Sequence, residues 1–435
     1  MESSHIIILL ILLGCMASYV PVFMCLFFTA VLGFVLFTDL PVLLLASTLF
    51  RSLDNFALVV VLFFILCGNI MTAGSIVEKL IKVANTLVSW LPGGLGMAGV
   101  LACGLFGAIS GSTVATVVAL GGFMIPALLE NGYPRKYTLG LMTTSPNLGV
   151  IIPPSIGMIL YCMISNVSLE GLFITGFLPG FLIILFTCLY TYFYFRKKTE
   201  IVRMPVPTAG EVLAVLREGF WSLMLPVIIF GGIFSGAFTA NEAAVVACVY
   251  AFFVELVIHR SMKLSQVKQV TVSSAVTSAT LLIIVAGATC FGRLLTLESI
   301  PGQITEAVLS AIQSPLVFLL VMNGLLLVVG MFMDIISATL ILGPVFLPML
   351  SAFNVDVMHF GLIMTLNLGL GYCTPPMGVS LYITGAIANK NLVYVSKAVL
   401  PFLIIQIGVL LLMTYLPNLA LWLPRVMGFV GPAGG

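Results

Sequence analysis

Apolar residues form eleven long stretches along the chain, and most charged residues lie between them. A membrane-crossing helix needs about 20 successive apolar residues, so most of these stretches are long enough to cross once. Residues 6–38 are too many for one crossing, and we expect two short crossings divided near Pro21. The pattern predicts an all-α polytopic membrane protein. The stretches are 6–38, 56–76, 95–129, 138–165, 171–195, 220–237, 240–258, 272–297, 315–350, 358–388 and 392–423.

Two stretches, 95–129 and 315–350, also exceed one crossing, and each carries polar residues near its middle. The first contains Ser110-Gly111-Ser112-Thr113, and the second contains Asp334 followed by Ser337. Irregular backbone at membrane depth is tolerated only where protein or a cavity surrounds it. We therefore predict two re-entrant helical hairpins, each turning back at its polar tip.

Proline and glycine interrupt two further stretches. Tandem proline removes two backbone donors and disfavours helix at the preceding residue, so both stretches are predicted to be discontinuous helices. Residues 138–165 contain Ser145-Pro146-Asn147-Leu148-Gly149 and then Pro153-Pro154; residues 358–388 contain Asn367, Gly369, Gly371, Thr374 and then Pro375-Pro376.

These features recur at a constant spacing of 222 residues. Six matches without a gap indicate an internal duplication. The hairpin tips obey the same spacing, with Ser112 opposite Asp334. The matches are Gly121 with Gly343, Pro126 with Pro348, Thr143 with Thr365, Gly149 with Gly371, Pro153-Pro154 with Pro375-Pro376, and Pro179 with Pro401.

The basic residues predict the orientation. If the hairpins do not cross and every other stretch does, 14 of the 17 Lys and Arg residues fall on one side, which the positive-inside rule makes cytoplasmic. Five single crossings, an odd number, separate the hairpins, so the repeat is predicted to be inverted. The fourteen are Lys79, Lys82, Arg135, Lys136, Arg196, Lys197, Lys198, Arg203, Arg217, Arg260, Lys263, Lys268, Lys390 and Lys397.

Composition narrows the function classes. Charged residues make up 7% of the chain and hydrophobic residues 61%, which cannot cover a water-facing surface. The net charge of +2 is too balanced for a nucleic-acid partner. The three histidines (His5, His259 and His359) lie at predicted span ends, so the sequence shows no Ser–His pair within the membrane that would favour an enzyme. It also contains no GxxxxGK[ST] phosphate loop, which argues against direct use of ATP.

Inverted repeats with broken helices are typical of secondary transporters. Exposed N–H groups attract anions, whereas unpaired carbonyls and hydroxyls coordinate cations such as sodium. We expect substrate and ion binding at Ser110, Gly111, Ser112, Thr113, Ser145, Asn147, Gly149, Asp334, Ser337, Asn367, Gly369, Gly371 and Thr374. Within that set the sodium ligands are expected to be Ser110, Ser112, Asn147, Gly149, Asp334, Gly371 and Thr374.

The first tip, Asp334 and two further polar residues also have simpler interpretations. The tip Ser110-Gly111-Ser112-Thr113 would also suit close helix packing, and Asp334 would suit a capping role at the start of the second hairpin arm. Arg293 could contact an anionic substrate or extend to the membrane interface. Glu242 follows Thr239 at a helix start, where capping is the expected role.

Three motifs resemble the large membrane subunit of TRAP (tripartite ATP-independent periplasmic, DctM type) transporters. The first hairpin departs locally from the family pattern, with Thr113-Val114 where Ser-Pro or Ser-Ser is usual. The motifs are residues 107–116 with Met124-Ile125-Pro126 and Asn131-Gly132-Tyr133, residues 146–155, and residues 236–244.

The resemblance implies sodium-coupled uptake of an organic acid anion across a bacterial inner membrane, with elevator motion and no cofactor besides the coupling ions. It implies a small membrane subunit and a soluble periplasmic binding protein as partners, in addition to membrane lipid. Only about five residues precede the first apolar stretch, so we expect the small subunit to be a separate chain. An elevator-type carboxylate transporter without a binding protein is the runner-up, and a channel comes third.

The expected division follows the repeat. Residues 1–92 are scaffold helices, 93–168 hold the first hairpin and broken helix of the transport domain, and 169–312 are scaffold with a cytoplasmic connection. Residues 313–390 hold the second hairpin and broken helix, and 391–435 form a C-terminal scaffold helix. The sequence leaves the identity of the anion open.

Overall fold

The computed structural model describes residues 7–8, 10–12, 14–15, 18, 20–38, 40–197 and 204–430, and this part of the chain is helical without any strand. Within these described residues, eight helices are long and apolar enough to cross a membrane, and two bent pairs raise the number to ten. The predicted all-helical membrane fold is confirmed. The crossing expected before Pro21 lies partly outside the described residues, and Lys198 and Arg203 lie outside them.

Local sequence accounts for several helix boundaries. Pro21 directly precedes the helix that begins at Val22, as the predicted division required. The N–H of Thr239 donates to the Glu242 carboxylate at 2.8 Å while the Thr239 hydroxyl accepts from the Glu242 N–H, which confirms the capping role expected for Glu242. In chain order the helices are Val22–Phe37, Leu43–Leu53, Ala57–Ala73, Ile76–Val88, Gly94–Ser110, Thr113–Glu130, Arg135–Thr144, Ser145–Asn147 (3₁₀), Leu148–Ile151, Ile156–Ser165, Leu169–Phe195, Ala209–Phe234, Ala240–Ile258, Leu264–Leu297, Ile300–Ala311, Pro315–Phe332, Ile335–Ala352, Val357–Gly371, Val379–Ala388, Leu392–Tyr415, Pro417–Ala420 and Trp422–Val426.

Both predicted hairpins are present. The first hairpin consists of Gly94–Ser110 and Thr113–Glu130, and its arms run back along each other, because a Cβ placed on Gly99 would lie 3.2 Å from the Met124 side chain. The second hairpin consists of Pro315–Phe332 and Ile335–Ala352. There Phe318, near the start of the first arm, stacks on Phe353, just after the second, with ring centroids 4.2 Å apart.

The repeat extends beyond the motifs that reveal it. A shift of 222 residues places Ile76–Val88 on Ile300–Ala311 and Leu169–Phe195 on Leu392–Tyr415. The first copy bends by 54° between Leu43–Leu53 and Ala57–Ala73, whereas the second copy runs through as the single helix Leu264–Leu297. The duplicated unit therefore includes amphipathic helices that the apolar pattern did not reveal.

Equivalent helices of the two copies run in opposite directions. Asn69, near the end of Ala57–Ala73, donates to the Ser274 hydroxyl at 2.8 Å, early in Leu264–Leu297. Leu58, at the start of the first helix, shares a crevice with Leu282 in the later part of the second. The antiparallel pairing confirms that the repeat is inverted.

Both predicted discontinuous helices are interrupted at their tandem prolines. The first broken helix continues through 145–151, with a 3₁₀ turn at Ser145–Asn147, and unwinds only at 152–155 before Ile156–Ser165. The second broken helix continues through Asn367 and ends at Gly371, and it resumes at Val379. Glycine and asparagine alone do not unwind these helices; the interruption occurs where the tandem prolines remove the donors.

A buried carboxylate fixes the joint between Ala57–Ala73 and Ile76–Val88, the helix that leads to the first hairpin. Glu255 is fully buried and accepts hydrogen bonds from the backbone N–H groups of Ser75 and Ile76, both at 2.8 Å. A Cβ on Gly74 would collide with this carboxylate at 2.1 Å. Glu255 thus satisfies the first donors of Ile76–Val88. Glu255 is not among the residues predicted from the sequence.

Candidate ion and substrate site

The first hairpin turns at Gly111, which has a φ of +61°. This left-handed conformation favours glycine, and a Cβ here would also lie 2.5 Å from the Pro154 carbonyl oxygen. The next helix starts at Ser112, whose hydroxyl accepts from the Ala115 N–H at 3.4 Å. The Gly-Ser pair therefore ends one helix and caps the next, and it brings the tip against the break of the first broken helix.

Oxygen atoms gather beneath this tip. The hydroxyls of Ser110 and Thr116 lie 3.2 Å apart, and Thr116 donates to the Ser112 carbonyl at 2.7 Å. The Thr113 hydroxyl is buried and has no hydrogen-bond partner in the described part of the chain. Ser110, Thr113 and Thr116 are all nearly inaccessible to solvent. Thr116 belongs to this group although it is not among the predicted site residues. Its spacing of four residues from Ser112, about one helical turn, is the sequence feature that indicates its position.

Gly149 brings the first broken helix into contact with the same oxygens. A Cβ on Gly149 would lie 2.8 Å from the Thr116 hydroxyl and 2.9 Å from the Ser112 carbonyl oxygen. The tandem prolines at 153 and 154 also deprive the carbonyls of Gly149 and Val150 of their helical donors. Backbone and hydroxyl oxygens with spare lone pairs thus come together without an intervening side chain.

The Asn147 side chain is bonded elsewhere. Its Nδ2 donates to Gln406 Oε1 at 3.0 Å, and its Oδ1 accepts from the Cys373 thiol at 3.4 Å. Gln406 in turn donates to the Thr144 carbonyl at 2.9 Å. The structure therefore places the Asn147 side chain between the second broken helix and Leu392–Tyr415, and its neighbour Ser145 is buried with an unpartnered hydroxyl.

The second hairpin turns at Asp334. The Asp334 carboxylate accepts from the Ser337 N–H at 2.9 Å, so it caps the second arm, while the N–H of Ile335 donates to the Tyr372 hydroxyl at 3.0 Å. Asp334 is partly exposed, and the Ser337 hydroxyl is buried without a partner in the described residues. Capping is thus one role of Asp334, and it leaves three of the four carboxylate lone-pair positions open to another ligand.

The remaining predicted site residues of the second half are Asn367, Gly369, Gly371 and Thr374. Gly371 contacts the second hairpin, because its Cβ would lie 2.4 Å from the Gly330 carbonyl carbon, and the Thr374 hydroxyl donates to the Leu370 carbonyl at 2.8 Å. Asn367 instead donates to Asn323 on the first arm of that hairpin. A Cβ on Gly369 would lie 3.1 Å from the Val150 side chain, so this glycine allows the two broken helices to pack closely.

Both tips contact the first broken helix at or just after its break. Gly111 lies against Pro154, and a Cβ on Gly157 would lie 2.7 Å from the Ile335 side chain. The structure therefore brings together Ser110, Gly111, Ser112, Thr113 and Gly149 at one tip, and Asp334, Ser337 and Gly371 at the other.

Comparison with known proteins places the chain in a family. A family model described as the tripartite ATP-independent periplasmic transporter, DctM component, matches residues 9–419. The large permease protein DctM of a C4-dicarboxylate TRAP transporter from Pseudomonas aeruginosa is 40% identical over 397 residues, covering 91% of this chain and 93% of that protein. The isethionate TRAP transporter permease protein DctMQ of Oleidesulfovibrio alaskensis is 35% identical over 384 residues, covering 88% of this chain and 60% of that protein.

The fold also occurs in a solved structure of low sequence identity. The crystal structure of the YdaH transporter from Alcanivorax borkumensis superimposes with a TM-score of 0.64 at 14% identity, covering 86% of this chain and 88% of that one. The family match extends over nearly the whole chain, and the relatives are transporter subunits rather than enzymes. The chain belongs to the DctM family, the large permease subunits of TRAP transporters of organic acids.

Proposed function

We propose that this permease couples the uptake of an organic acid anion to sodium through the two hairpin tips. The observation that carries the proposal is the group of buried oxygens at the first tip, where Thr113 has an unpartnered hydroxyl and Gly149 leaves no side chain in the way. Sodium is a hard cation that prefers neutral and anionic oxygen ligands, as calcium and magnesium do. Ser110, Ser112 and Thr116 supply such ligands.

The second tip supplies the charged counterpart. Asp334 is partly exposed, and Gly371 lies against Gly330, four residues before Asp334, so the carbonyls of both segments are close to the tip. An ionised carboxylate at membrane depth is costly unless a cation or donors accompany it. A sodium ion held by these carbonyls would satisfy that requirement, and an anion would then bind between the tips.

Transport would proceed by movement of the hairpins and broken helices against the scaffold. Leu392–Tyr415 is tied to the broken helices by Gln406, and a Cβ on Gly140 would lie 2.2 Å from the Ala398 carbonyl. We therefore include Leu392–Tyr415 in the moving unit instead of the scaffold, together with Leu169–Phe195, whose Thr191 bonds to Tyr137 at 2.7 Å.

A cysteine pair tests this movement. Leu160 of the first broken helix and Val285 of the scaffold line one crevice, so crosslinking Leu160→Cys to Val285→Cys should stop uptake until the link is reduced. The matched control is Asn69→Cys with Ser274→Cys, which joins two scaffold helices whose side chains are already bonded. Full uptake by the crosslinked first pair would refute the elevator proposal.

The substrate class and partners follow from the family. We propose an organic acid, with C4-dicarboxylates as the first candidates, delivered by a periplasmic binding protein to a complex with a small membrane subunit. The location would be a bacterial inner membrane, with the basic ends in the cytoplasm. Thiol labelling from outside should then reach a cysteine at Asn354 and spare one at Lys197 or Lys263; strong labelling at Lys197 would overturn this orientation.

Uptake in proteoliposomes tests the proposed function. The large and small subunits, reconstituted with substrate-loaded binding protein, should accumulate labelled succinate, isethionate or N-acetylneuraminate only under an inward sodium gradient. Uptake driven equally well by a proton gradient without sodium would remove the sodium coupling. Uptake without any binding protein would favour the independent elevator transporter, and flux without a gradient would favour a channel.

A further inference from the structure

A cavity of about 370 Å³ separates the scaffold from the transport helices on the predicted outer side. One wall consists of the end of the first broken helix and the second arm of the second hairpin, and it is apolar. The volume falls in the lower part of the range for small-molecule pockets, about 300–1,000 Å³. The opposite wall is mixed: it contains the polar residues Thr48, Ser52, Asn55, Thr289, Arg293 and Thr296, together with Val285, Ala288 and Gly292.

Arg293 gives this cavity its charge. It is the single cation among the lining residues that the structure describes, and no described carboxylate lines the cavity beside it. The side chain is exposed and makes no ion pair within the described part of the chain. An unpaired guanidinium with hydroxyl and amide neighbours is suited to an anion, because its planar N–H groups match a carboxylate in a bidentate fashion.

The cavity leads toward the hairpin tips. Along Leu264–Leu297 it extends from Thr296 to Val285, which corresponds to about 16 Å of helix. Below it lies a crevice of about 10 Å³ lined by Leu160 and Ile156, too small for a ligand. Ile156 is next to Gly111 at the first tip. The cavity therefore ends one closed apolar crevice away from the ion and substrate site.

We propose that this cavity is an entry subsite, separate from the hairpin tips, in which Arg293 holds the acidic group of the incoming organic anion. The Asn55 side-chain N–H groups donate to the remaining oxygens of the anion, whereas the hydroxyls of Thr48 and Ser52, which donate to the carbonyls of Leu44 and Leu49, accept from hydroxyl groups of the anion. The anion passes on to the tips when the moving unit opens the crevice. This inference rests on the proposed function, since it assumes an anionic substrate that arrives from the outer side.

Charge-selective labelling tests the subsite without transport. A Ser52→Cys reporter is placed in a protein whose partly exposed Cys15, Cys162 and Cys188 are replaced by serine. The quantity measured is the ratio of the reaction rate with an anionic methanethiosulfonate to the rate with a cationic one. We expect this ratio to be about three- to tenfold higher with Arg293 present than in the same protein carrying Arg293→Gln, as for one nearby charge in a partly hydrated site. Arg293→Lys should keep the preference.

Arg51→Gln is the matched control for this measurement. Arg51 is an exposed cation on Leu43–Leu53, the helix that carries Ser52, but it does not line the cavity. The preference should survive this change. An unchanged preference in Arg293→Gln, or an equal loss in Arg51→Gln, would overturn the assignment of the cavity charge to Arg293.

Transport provides the second readout. With saturating sodium and excess loaded binding protein, Arg293→Gln should reduce the initial uptake rate about tenfold, while Arg293→Lys retains most of it and Arg51→Gln retains all. The half-saturating sodium concentration should not change, because the ion ligands lie at the tips. Wild-type rates in Arg293→Gln would refute the entry subsite. Absence of sodium-driven uptake in the wild type would instead refute the proposed function. In that case the labelling result alone would decide whether the subsite exists.

Discussion

Replacing Asp334 by asparagine separates the two roles that its carboxylate combines in the proposed function. The structure shows one of them directly, since Oδ2 accepts from the Ser337 N–H at 2.9 Å at the start of the second hairpin arm. Asparagine caps a helix about as well as aspartate does. The Asp334→Asn protein should therefore fold with nearly unchanged stability, and any loss of function would come from the loss of charge.

The loss of sodium affinity expected for Asp334→Asn follows from Coulomb's law. For a sodium ion held by neighbouring carbonyls about 6 Å from the carboxylate, the attraction is about 0.7 kcal/mol in water and about 3 kcal/mol at an effective dielectric constant of about 20. Asp334 is partly exposed, so its environment lies between these limits. The expected rise in the half-saturating sodium concentration is about threefold to about a hundredfold.

The stability comparison uses two more substitutions. Asp334→Ala removes the cap as well as the charge and should cost about 1 kcal/mol of unfolding free energy, measured by thermal unfolding in detergent. Asp334→Ser places at the second tip the residue that Ser112 supplies at the first. It should restore most of the stability without restoring sodium affinity.

Asp356 offers a matched control. Its carboxylate also caps a helix, accepting from the His359 N–H at 2.8 Å, but it lies at the other end of the second hairpin. Asp356→Asn should leave sodium-driven uptake unchanged. Near-normal uptake with an unshifted sodium dependence in a well-folded Asp334→Asn protein would refute the proposed role and leave capping alone. A proton-carrying role would instead produce uptake that no longer responds to pH.

Three further substitutions and one control substitution test the first tip and the joint held by Glu255. Thr116→Val removes a hydroxyl that contacts the proposed ion ligands and should raise the half-saturating sodium concentration about five- to hundredfold; an unshifted value would remove Thr116 from the site. Gly149→Ala should abolish uptake in a folded protein, because its Cβ would lie 2.8 Å from the Thr116 hydroxyl, whereas Gly122→Ala, with no atom within 4 Å of the added Cβ, should be neutral. Glu255→Gln should lower the unfolding free energy by about 1–3 kcal/mol with unchanged sodium dependence, since a neutral amide replaces the buried carboxylate on the Ser75–Ile76 backbone; unchanged thermal unfolding would contradict this account.

The hairpins, the breaks and the repeat were predictable because they depend on local covalent features. Tandem proline interrupts a helix wherever it occurs, and the Gly-Ser pair at 111–112 both turns the chain and caps the next helix. Such features keep their meaning without knowledge of distant neighbours. Their constant spacing then revealed the duplication.

The amphipathic helices could not be found by the same criterion. Ile76–Val88 contains Glu78, Lys79 and Lys82, so it interrupts the apolar pattern while burying only one face. Glu255 was missed because the sequence shows one acidic residue near the end of an apolar stretch and does not show Ser75, 180 residues away, which it contacts. A period of 3.6 in the apolar positions was the signal that would have identified the helix.

The hydrogen-bond partners of polar side chains were the least predictable part of the site. The prediction groups Asn147 with Ser112 because an Asn side chain on the broken helix beside the hairpin offers an oxygen ligand, but in the structure its amide bonds to Gln406, 259 residues further along. Sequence places such a residue on an element; packing between elements decides which face it occupies. Thr116, in contrast, follows Ser112 by one helical turn and was accessible to local reasoning.

The two halves of the repeat keep the residues that shape the backbone and differ in those that supply ligands. Gly149 and Gly371 each allow a broken helix to touch its hairpin, and the tandem prolines recur in both halves. At the tips, however, Ser112 corresponds to Asp334, and in the broken helices Val150 corresponds to Tyr372, whose hydroxyl receives the N–H of Ile335. Two sites built on one backbone but with different ligands would differ in charge and hence in ion affinity. Ser112→Asp should therefore not reproduce the second site, because the first broken helix has Val150 where the second has Tyr372 with its hydroxyl.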